Sequence, residues 1–343
     1  MKRNNKKLTF IDLFAGIGGI RIGFEKAGLN CVYSNEYNRS AVATYKANFG
    51  EDIDSRDIRE VPAHEIPKHD VLCAGFPCQP FSLAGVSARN GLKRPHGFKD
   101  EKQGNLFFEI LKVIDHHKPT VVFLENVANF EKHDGGNTLK TVKGELEKRG
   151  YNFKHKVVDA SLRVPQRRRR IYMVATLGFE FDFEEITPMN KIVRDILEKH
   201  PDPKYTISER LWVSHQARTE RNRAKGNGFR HNIVNLDGVA NTLTSRYGKD
   251  GRENLILQDG DFPRMLTPRE CSRLMGFPES FILPQAKTPA YRQMGNSVCV
   301  PIIEELAKQV AASLVVADVE AVAVEDTAER IPVPSLATVP LAA

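Results

Sequence analysis

Short apolar runs alternate with amphipathic stretches through the first 178 residues of the chain. The apolar runs predict strands at 8–14, 31–35, 70–74, 120–124, 152–158 and 170–175, and a weak one at 53–58. The stretches of helical period predict helices at 19–27, 40–48 and 106–116. Strands that alternate with helices are typical of a parallel sheet covered on both faces. We therefore predict an α/β domain over residues 1–178.

The pattern changes after residue 178. From 179 to 263 the periodicity weakens and polar residues and glycines become more frequent, with β-like pieces at 240–245 and 254–257. This change in sequence pattern predicts a second, smaller domain of mixed and irregular structure. Regular patterning returns at 264, and an apolar helix at 302–315 should pack back on the first domain, so that residues 264–316 complete it. Residues 317–343, rich in Ala, Val and Pro without a regular period, predict a disordered tail.

Composition narrows the class of protein. The 343 residues are 41% hydrophobic and 27% charged, with a formal net charge of +7. No apolar run approaches the roughly 20 residues that span a bilayer, and the basic N-terminus leads into a strand and not into a signal-peptide core. We therefore expect a cytoplasmic protein without membrane contact, whose basic charge favours a polyanionic partner.

Five cysteines are scattered along the chain, without a Cys-x-x-Cys pair or a histidine cluster at metal-ligand spacing. This predicts neither a disulfide framework nor a metal site. Cys78 differs from the others because it lies in the run Gly-Phe-Pro-Cys-Gln-Pro-Phe-Ser at 75–82, where two prolines forbid regular helix and hold the thiol in a rigid turn. The run follows a predicted strand, and ligands of such sheets bind beyond the carboxyl ends of the strands. Cys78 is therefore a candidate nucleophile, whereas Cys31 and Cys73 suit a buried, structural role.

A glycine-rich turn, Asp-Leu-Phe-Ala-Gly-Ile-Gly-Gly at 12–19, stands between the first strand and the first helix. Such a turn lets a ligand approach the backbone and the helix N-terminus. The dinucleotide fingerprint needs a third glycine where this chain has Arg21, so the spacing favours a different nucleotide-like ligand. Glu36, at the end of the second strand, is placed to accept hydrogen bonds from a ribose diol, and Asp57 could meet an adenine amino group. As a set these residues predict a nucleoside site, although each acidic residue alone suits a helix cap or a turn.

Two further charged motifs belong to strands of the same sheet. Glu125, in Glu-Asn-Val after the 120–124 strand, is placed on the sheet edge that carries the candidate nucleophile. The run Val-Pro-Gln-Arg-Arg-Arg-Arg at 164–170 enters the last predicted strand, so Arg168 and Arg170 should point to one face. A charge run usually marks a solvated face, but two arginines on one side can bind an anionic substrate.

Together these segments resemble the bacterial DNA (cytosine-5) methyltransferases of restriction–modification systems. The resemblance covers roughly residues 8–315 and rests on six blocks in family order. The blocks are Phe-Ala-Gly-Ile-Gly-Gly (14–19), Pro-Cys-Gln-Pro-Phe-Ser (77–82), Glu-Asn-Val (125–127), Gln-Arg-Arg-Arg-Arg (166–170), Arg-Met-Leu-Thr-Pro-Arg-Glu-Cys-Ser-Arg-Leu-Met-Gly-Phe-Pro (264–278) and Gln-Met-Gly-Asn-Ser-Val (293–298). The resemblance implies a Rossmann-like, S-adenosylmethionine-dependent methyltransferase sheet with a smaller target-recognition domain at 179–263.

The resemblance also implies the chemistry. Cys78 would add to C6 of a cytosine flipped out of the DNA helix, and Glu125 would hold the ring N3 and amino group. Arg168 and Arg170 would orient the base, C5 would take the methyl group from S-adenosylmethionine, and loss of the C5 proton would expel Cys78. The candidate cofactor-binding residues are Phe14, Gly16, Gly18, Glu36, Tyr37, Asp57, Ile58, Pro77, Leu106, Asn296 and Ser297. Arg56 stands before Asp57 where the family usually has glycine.

Contacts with double-stranded DNA are expected from two parts of the chain. Gln79 and Ser82 belong to the block around the nucleophile, and residues 82–104 resemble the family's mobile loop, which closes over the flipped base. Further along, five basic residues between 218 and 230 suit phosphate contact, although such a composition can also mark a solubilising loop.

The target site is suggested by two stretches of the predicted recognition domain. Lys-Gly-Asn-Gly-Phe (225–229) and Thr-Leu-Thr-Ser-Arg-Tyr-Gly-Lys-Asp-Gly-Arg (242–252) resemble the recognition region of enzymes that act on CCNGG or CCWGG sites. This makes Arg246 and Arg252 candidates for guanine contacts in the major groove.

Three other functions fit parts of the pattern. A tRNA cytosine-5 methyltransferase would share the same blocks, but the large basic middle of the chain favours duplex DNA. A non-catalytic DNA-binding regulator on the same fold need not keep Cys78 and Glu125, and a nicotinamide-dependent oxidoreductase would need a glycine at Arg21. We expect a monomer, because a single chain holds both the cofactor and the recognition parts.

Overall fold

The computed structural model describes residues 7–50, 53–77, 106–226 and 230–328, with side chains up to residue 317. Its strands are β1 (Thr9–Leu13), β2 (Asn30–Asn35), β3 (Val71–Ala74), β4 (Val121–Val127), β5 (Tyr151–Asp159), β6 (Arg169–Leu177), β7 (Leu255–Ile256) and β8 (Arg264–Met265). Its α-helices are α1 (Gly19–Lys26), α2 (Arg39–Phe49), α3 (Leu106–His117), α4 (Asn137–Glu147), α5 (Glu209–Ala224), α6 (Tyr247–Asp250), α7 (Pro268–Leu274), α8 (Lys287–Asn296) and α9 (Val300–Ala328). The strands and helices predicted before residue 178 are confirmed, apart from the weak strand at 53–58.

Residues 53–58 make only one parallel bridge, between Asp54 and Asn35, before a 3-10 turn at Ile58–Glu60. The Asp57 side chain accepts a hydrogen bond from the Arg59 backbone N–H and caps this turn. Short polar side chains that bond to nearby backbone compete with a strand ladder in this way. The strand predicted here is therefore wrong.

The main sheet has the strand order β2-β1-β3-β4-β6-β5. β1 to β4 run parallel, whereas β6 is antiparallel to both of its neighbours. The sheet is therefore mixed, and the prediction of a parallel sheet is wrong at this edge. The physical reason is the short connection between β5 and β6, since a parallel pair needs a crossover of about a dozen or more residues.

Alternate side chains of the sheet build two apolar layers, one on each face. Ile11 and Leu72 pack with α3 and α4 on one face, and Phe10 and Phe123 pack with α1 and α9 on the other. Helix α9, which follows the middle region in sequence, thus packs on the main sheet. Because β1 to β4 are parallel, the residues that follow them meet at a single edge, and this edge carries the site.

The middle region, residues 179–263, contains little regular structure besides α5, α6 and β7. Residues 240–245 form no strand there, since Ala240 makes a single parallel bridge with Gln166. Tyr247 and Leu255 of this region pack in one cluster with Tyr291 of α8. The middle region therefore shares its hydrophobic core with residues 264–300.

Helix α9 continues to Ala328, so the prediction of disorder from residue 317 is wrong over 317–328. Residues 317–328 are rich in alanine and contain no proline, and alanine has the strongest helix propensity. The first helix-breaking residue after them is Pro332. Residues 329–343 lie outside the described part of the chain.

Candidate active site

Glu125 lies near the end of β4 and faces Arg170 on the neighbouring strand β6. Arg170 stands opposite Val127 in the antiparallel register, and its Nε lies 3.2 Å from Glu125 Oε1. Only 8% of Glu125 is exposed. Burial raises the pKa of the Glu125 carboxyl, and the charges of Arg170 and Arg168 oppose that rise. The pair thus places a carboxyl that holds a proton more readily than usual next to a fixed cation.

Asn126 and Gly75 show that this carboxyl lies close to the segment that follows β3. The buried Asn126 side chain donates from Nδ2 to Phe76 O over 3.2 Å, and its Oδ1 accepts from the Val127 N–H. A β-carbon built on Gly75 would lie 3.8 Å from Glu125 Oε2. Asn126 belongs to the Glu-Asn-Val block at 125–127, but the sequence did not reveal that its side chain donates to the Phe76 carbonyl. The predicted residues Cys78, Gln79 and Ser82 fall outside the described residues.

The glycine turn between β1 and α1 has the conformation that a close ligand approach needs. Phe14, Gly16 and Gly18 all have positive φ, of 58°, 56° and 85°. A β-carbon on Gly18 would overlap the Phe49 ring, whereas no described atom lies within 4 Å of one built on Gly16. The positive φ and the Phe49 ring together favour glycine at position 18, and no described residue covers the backbone at position 16.

Glu36 connects this turn to the end of β2. Its Oε2 accepts from the Gly16 N–H over 3.0 Å, and its Oε1 accepts from the Asn38 N–H over 2.7 Å. Burial raises the pKa of Glu36, and these backbone donors counteract the rise. Each carboxylate oxygen keeps a second lone pair. The adjacent Tyr37 ring is 59% exposed, so a flat ligand can stack on it.

The other predicted cofactor residues divide into two groups. Ile58, Leu106 and Pro77 are buried or half-buried close to this edge. Asp57 is engaged by its neighbour, because the Arg59 guanidinium binds its carboxylate and lowers its pKa. Arg56, the departure from the family pattern, binds Asp54 and Glu65 instead.

The end of α8 reaches the glycine turn from a distant part of the sequence. A β-carbon on Gly19 would lie 2.9 Å from Ser297 Oγ and 2.8 Å from Val298. Asn296, the last residue of α8, is exposed, and Ser297 is half-buried. The structure therefore brings the predicted residues 296 and 297 beside the start of α1.

Burial alternates along 167–170 in the way that the predicted alternation requires: Arg168 is buried and Arg170 half-buried, whereas Arg167 and Arg169 are exposed. Arg168 is only 1% exposed. Its Nη1 donates to Leu243 O, and its Nη2 donates to Gly295 O and Ser297 O. Burial and the nearby Arg170 lower the pKa of Arg168, against the pull of Glu125. The guanidinium is thus bound to backbone carbonyls of its own chain, a setting different from the expected contact with the base.

Asp12 is a buried carboxyl that the sequence marked only as the start of the glycine block. It is fully buried in β1, and neither carboxylate oxygen has a hydrogen-bond partner among the described residues. Burial raises the pKa of Asp12 to about 8, although the Arg21 backbone and charge lower it in part. The carboxyl therefore favours its neutral form in the folded protein.

Comparisons with known proteins agree with this arrangement. Residues 8–312 match the family model of the C-5 cytosine-specific DNA methylases. The chain belongs to this family. It is 47% identical over 310 residues to the Type II methyltransferase M.NlaX of Neisseria lactamica, covering 89% of this chain and 96% of that relative. It is also 39% identical over 323 residues to the Type II methyltransferase M.HhaI of Haemophilus parahaemolyticus, covering 90% and 95%.

Solved structures share the fold of this methylase at lower sequence identity. The Entamoeba histolytica methyltransferase EhMeth superposes with a TM-score of 0.75 at 20% identity and covers 90% of this chain and 99% of its own. The S. pombe Dnmt2 methyltransferase gives a TM-score of 0.69 at 22% identity, covering 90% and 98%. The predicted membership of the DNA (cytosine-5) methyltransferases and the Rossmann-like methyltransferase fold are thus confirmed. The chain is an enzyme that methylates DNA cytosine, and its family implies the use of S-adenosylmethionine.

The middle region of the methylase presents its basic residues to solvent. In α5, Arg218, Arg221 and Arg223 are exposed, with Arg218 Nη1 3.7 Å from Asp250 Oδ2 and Arg223 bound to Glu220. Arg246 is exposed at the start of α6, and Arg252 is half-buried just after the end of that helix. Residues 227–229, part of the first recognition-like stretch, lie outside the described residues.

The described residues offer neither a metal cluster nor a membrane-spanning helix. No group of three or more His, Cys, Asp and Glu side chains in that part of the chain is placed to hold a metal ion. Among the same residues, no helix combines the length and apolar character needed to cross a membrane.

Proposed function

We propose that this methylase transfers a methyl group to C5 of a cytosine flipped out of a specific duplex DNA site, through a covalent adduct of Cys78. The observation that carries the proposal is the Glu125–Arg170 pair, which lies against Gly75 in the block that contains Cys78. Cytosine C5 is a weak nucleophile, so the ring needs covalent activation at C6, and a thiolate both attacks and leaves readily.

The buried carboxyl suits the base-holding role. Its raised pKa favours a proton that can be shared with ring N3 as negative charge develops during attack at C6. The Arg170 guanidinium beside it limits that rise and offers donors to the same ring. After the methyl group is in place, loss of the C5 proton re-forms the double bond and expels Cys78 as thiolate.

The cofactor is S-adenosylmethionine, which supplies an electrophilic methyl group when bound. The residues present fit it: no described residue covers the Gly16 backbone, Glu36 keeps free lone pairs for a ribose diol, and Tyr37 is exposed for stacking. Ser297 lies against the start of α1, where it can close the same cleft together with Asn296. Phe14, Gly18, Asp57, Ile58, Pro77 and Leu106 complete the proposed set.

The middle region would read the DNA, and the proposed target is a CCNGG or CCWGG site. The exposed arginines of α5 suit phosphate contact, which depends on charge and not on sequence. Arg246 and Arg252 would contact guanine, and Gln79 and Ser82 the strand at the flipped base. We also propose that the enzyme acts as a monomer and protects the DNA of its host from a companion restriction enzyme.

The test is methyl transfer to plasmid DNA that carries no cytosine methylation, mapped by bisulfite sequencing. Wild type should modify cytosine at one short motif, and the bases found at the motif's centre separate CCNGG from CCWGG. Cys78→Ala should give no product, while Cys31→Ala, which changes a half-buried thiol of β2, should keep the activity. Product formation by Cys78→Ala would overturn the covalent route. Transfer to tRNA but not to DNA would overturn the proposed substrate.

A further inference from the structure

Arg168 contacts two segments that belong to different parts of the proposed site. Its Nη1 donates to Leu243 O over 2.8 Å, at the start of the 240–251 segment of the middle region. Its Nη2 donates to Gly295 O over 3.0 Å and to Ser297 O over 2.5 Å. These two carbonyls flank Asn296, so the same guanidinium binds the backbone on both sides of that residue in the 295–297 turn.

The 240–251 segment is fixed on more than one side. The buried Gln166 accepts from the Leu243 N–H through Oε1, while its Nε2 donates to Leu274 O. Both backbone groups of Leu243 are therefore bound by side chains of the 166–170 block. Thr242 adds a third link, since its Oγ1 donates to Arg167 O over 2.6 Å.

The 240–251 segment and the 295–297 turn also touch each other directly. A β-carbon on Gly295 would overlap the backbone of Thr244 and Ser245. With no side chain between them, a shift of one backbone must displace the other. Arg168 lies across this contact and binds both partners.

We propose that Arg168 is a positioning residue that couples the 240–251 segment to the 295–297 turn, so that cofactor binding and specific DNA binding strengthen each other. The proposal rests on the proposed function, which assigns DNA contact to the first segment and cofactor contact to the second. A guanidinium suits this role because its planar fork holds several acceptors at fixed angles, whereas a lysine ammonium is a point charge. Arg170, and not Arg168, remains the arginine beside the reacting base.

The test measures the dissociation constant of a DNA duplex that carries the motif mapped by bisulfite sequencing, with and without saturating S-adenosylhomocysteine. In wild type the ratio of the two constants should exceed about 5, the lower end of usual coupling between sites. In Arg168→Lys and Arg168→Met the ratio should fall towards 1. Binding of S-adenosylhomocysteine without DNA, measured by calorimetry, should change far less.

Two matched variants separate the loss of coupling between the two segments from a general loss of rigidity around them. Arg169→Met removes an exposed arginine of the same strand and should keep the wild-type ratio. Gln166→Leu frees the Leu243 N–H but leaves the Arg168 bonds, so DNA binding should weaken with the ratio retained. A ratio near 1 in wild type, or a wild-type ratio in both Arg168 variants, would overturn the proposal. Failure of wild type to bind or methylate the duplex at all would instead overturn the proposed function.

A measurement on the wild-type protein avoids any dependence on how the variants fold. Hydrogen exchange of the 240–251 amides should slow when S-adenosylhomocysteine binds, even without DNA, because the segment is tied to the 295–297 turn. Slowing confined to the glycine turn, Glu36 and the 295–297 turn would contradict the coupling.

Discussion

The strand-end edge and the middle region use charged residues in opposite ways. At the edge, Glu125, Arg168 and Asp12 are almost fully buried, and their surroundings fix them before any substrate arrives. In the middle region, Arg221 is exposed on helix α5 and Arg246 is exposed at the start of α6. Buried charges give preorganised electrostatic stabilisation of a reaction, whereas exposed ones gain their energy from counterion release on phosphate contact. On the proposed function, the buried residues Glu125 and Arg168 would serve the chemistry and its positioning, and the exposed arginines would serve recognition.

Glu125→Gln should show the largest effect, because it removes a buried acid and keeps its shape. We expect kcat to fall by about 10²–10⁴, the usual contribution of a positioned acid or base, while binding of DNA and S-adenosylhomocysteine stays close to wild type. Single-turnover methylation assays and direct binding measurements separate the two effects. Glu131→Gln, a more exposed carboxylate in the turn after β4, serves as the control and should keep kcat. Full activity of Glu125→Gln would show that the edge does not rely on this acid.

Gly295→Ala tests the contact where the two regions meet. The added methyl group overlaps the backbone of Thr244 and Ser245, so α8 and the middle region must move apart. We expect a loss of about 1–3 kcal/mol in the free energy of unfolding, as for overpacked sites, together with weaker DNA binding.

Gly144→Ala, within α4, is the matched control for that change. No described atom lies within 4 Å of a β-carbon at Gly144, so alanine should stabilise the helix by about 0.5–1 kcal/mol. Urea unfolding of the two variants measures both changes. Equal effects would mean that the Gly295 contact does not constrain the fold.

Arg246→Gln and Arg221→Gln test whether two exposed arginines of the middle region have different roles in DNA binding. If Arg246 reads guanine, its loss should cost about 1–3 kcal/mol and relax specificity at one position of the motif. If Arg221 contacts only phosphate, its loss should weaken all sequences equally and lower the slope of log K against log salt by about 1. Binding to a panel of single-base variants at several salt concentrations distinguishes them. Identical profiles for the two variants would contradict the division of roles.

The sequence predicted the strand-end edge much better than the contacts between regions. The apolar run before Glu125 and the alternation of Arg168 and Arg170 follow from side-chain periodicity, which is local. The bonds from Arg168 to Leu243, Gly295 and Ser297 depend on where distant backbone carbonyls lie, and no residue type marks such positions. The reversed direction of β6 depends on strand order, which periodicity does not encode.

The middle region was the least predictable for the same reason. Residues 240–245 read as a β-like piece, yet Gln166, Arg167 and Arg168 supply most of the partners that a neighbouring strand would have supplied. The segment's conformation is therefore set by side chains from about 75 positions earlier in the chain, consistent with the separations of 75 and 77 in its bonds.

Asp12→Asn should leave the free energy of unfolding almost unchanged at pH 5, with an effect that grows as the pH rises. Between its ordinary pKa of 3.8 and its folded value of about 8, the Asp12 carboxyl is protonated in the folded state but ionised in the unfolded state. Folding then takes up a proton, so this contribution to stability is lost as pH rises from about 4 to 8. Asparagine is neutral throughout, so the variant should match wild type at pH 5 and exceed its free energy of unfolding increasingly as the pH rises towards 8, by at most about 1.4 kcal/mol for each pH unit. Asp182→Asn, which changes an exposed carboxylate, should show no such trend. Urea unfolding at pH 5 and pH 9 measures the difference, and an equal difference between Asp12→Asn and wild type at the two pH values would show that the Asp12 carboxyl is already ionised in the folded protein at pH 5.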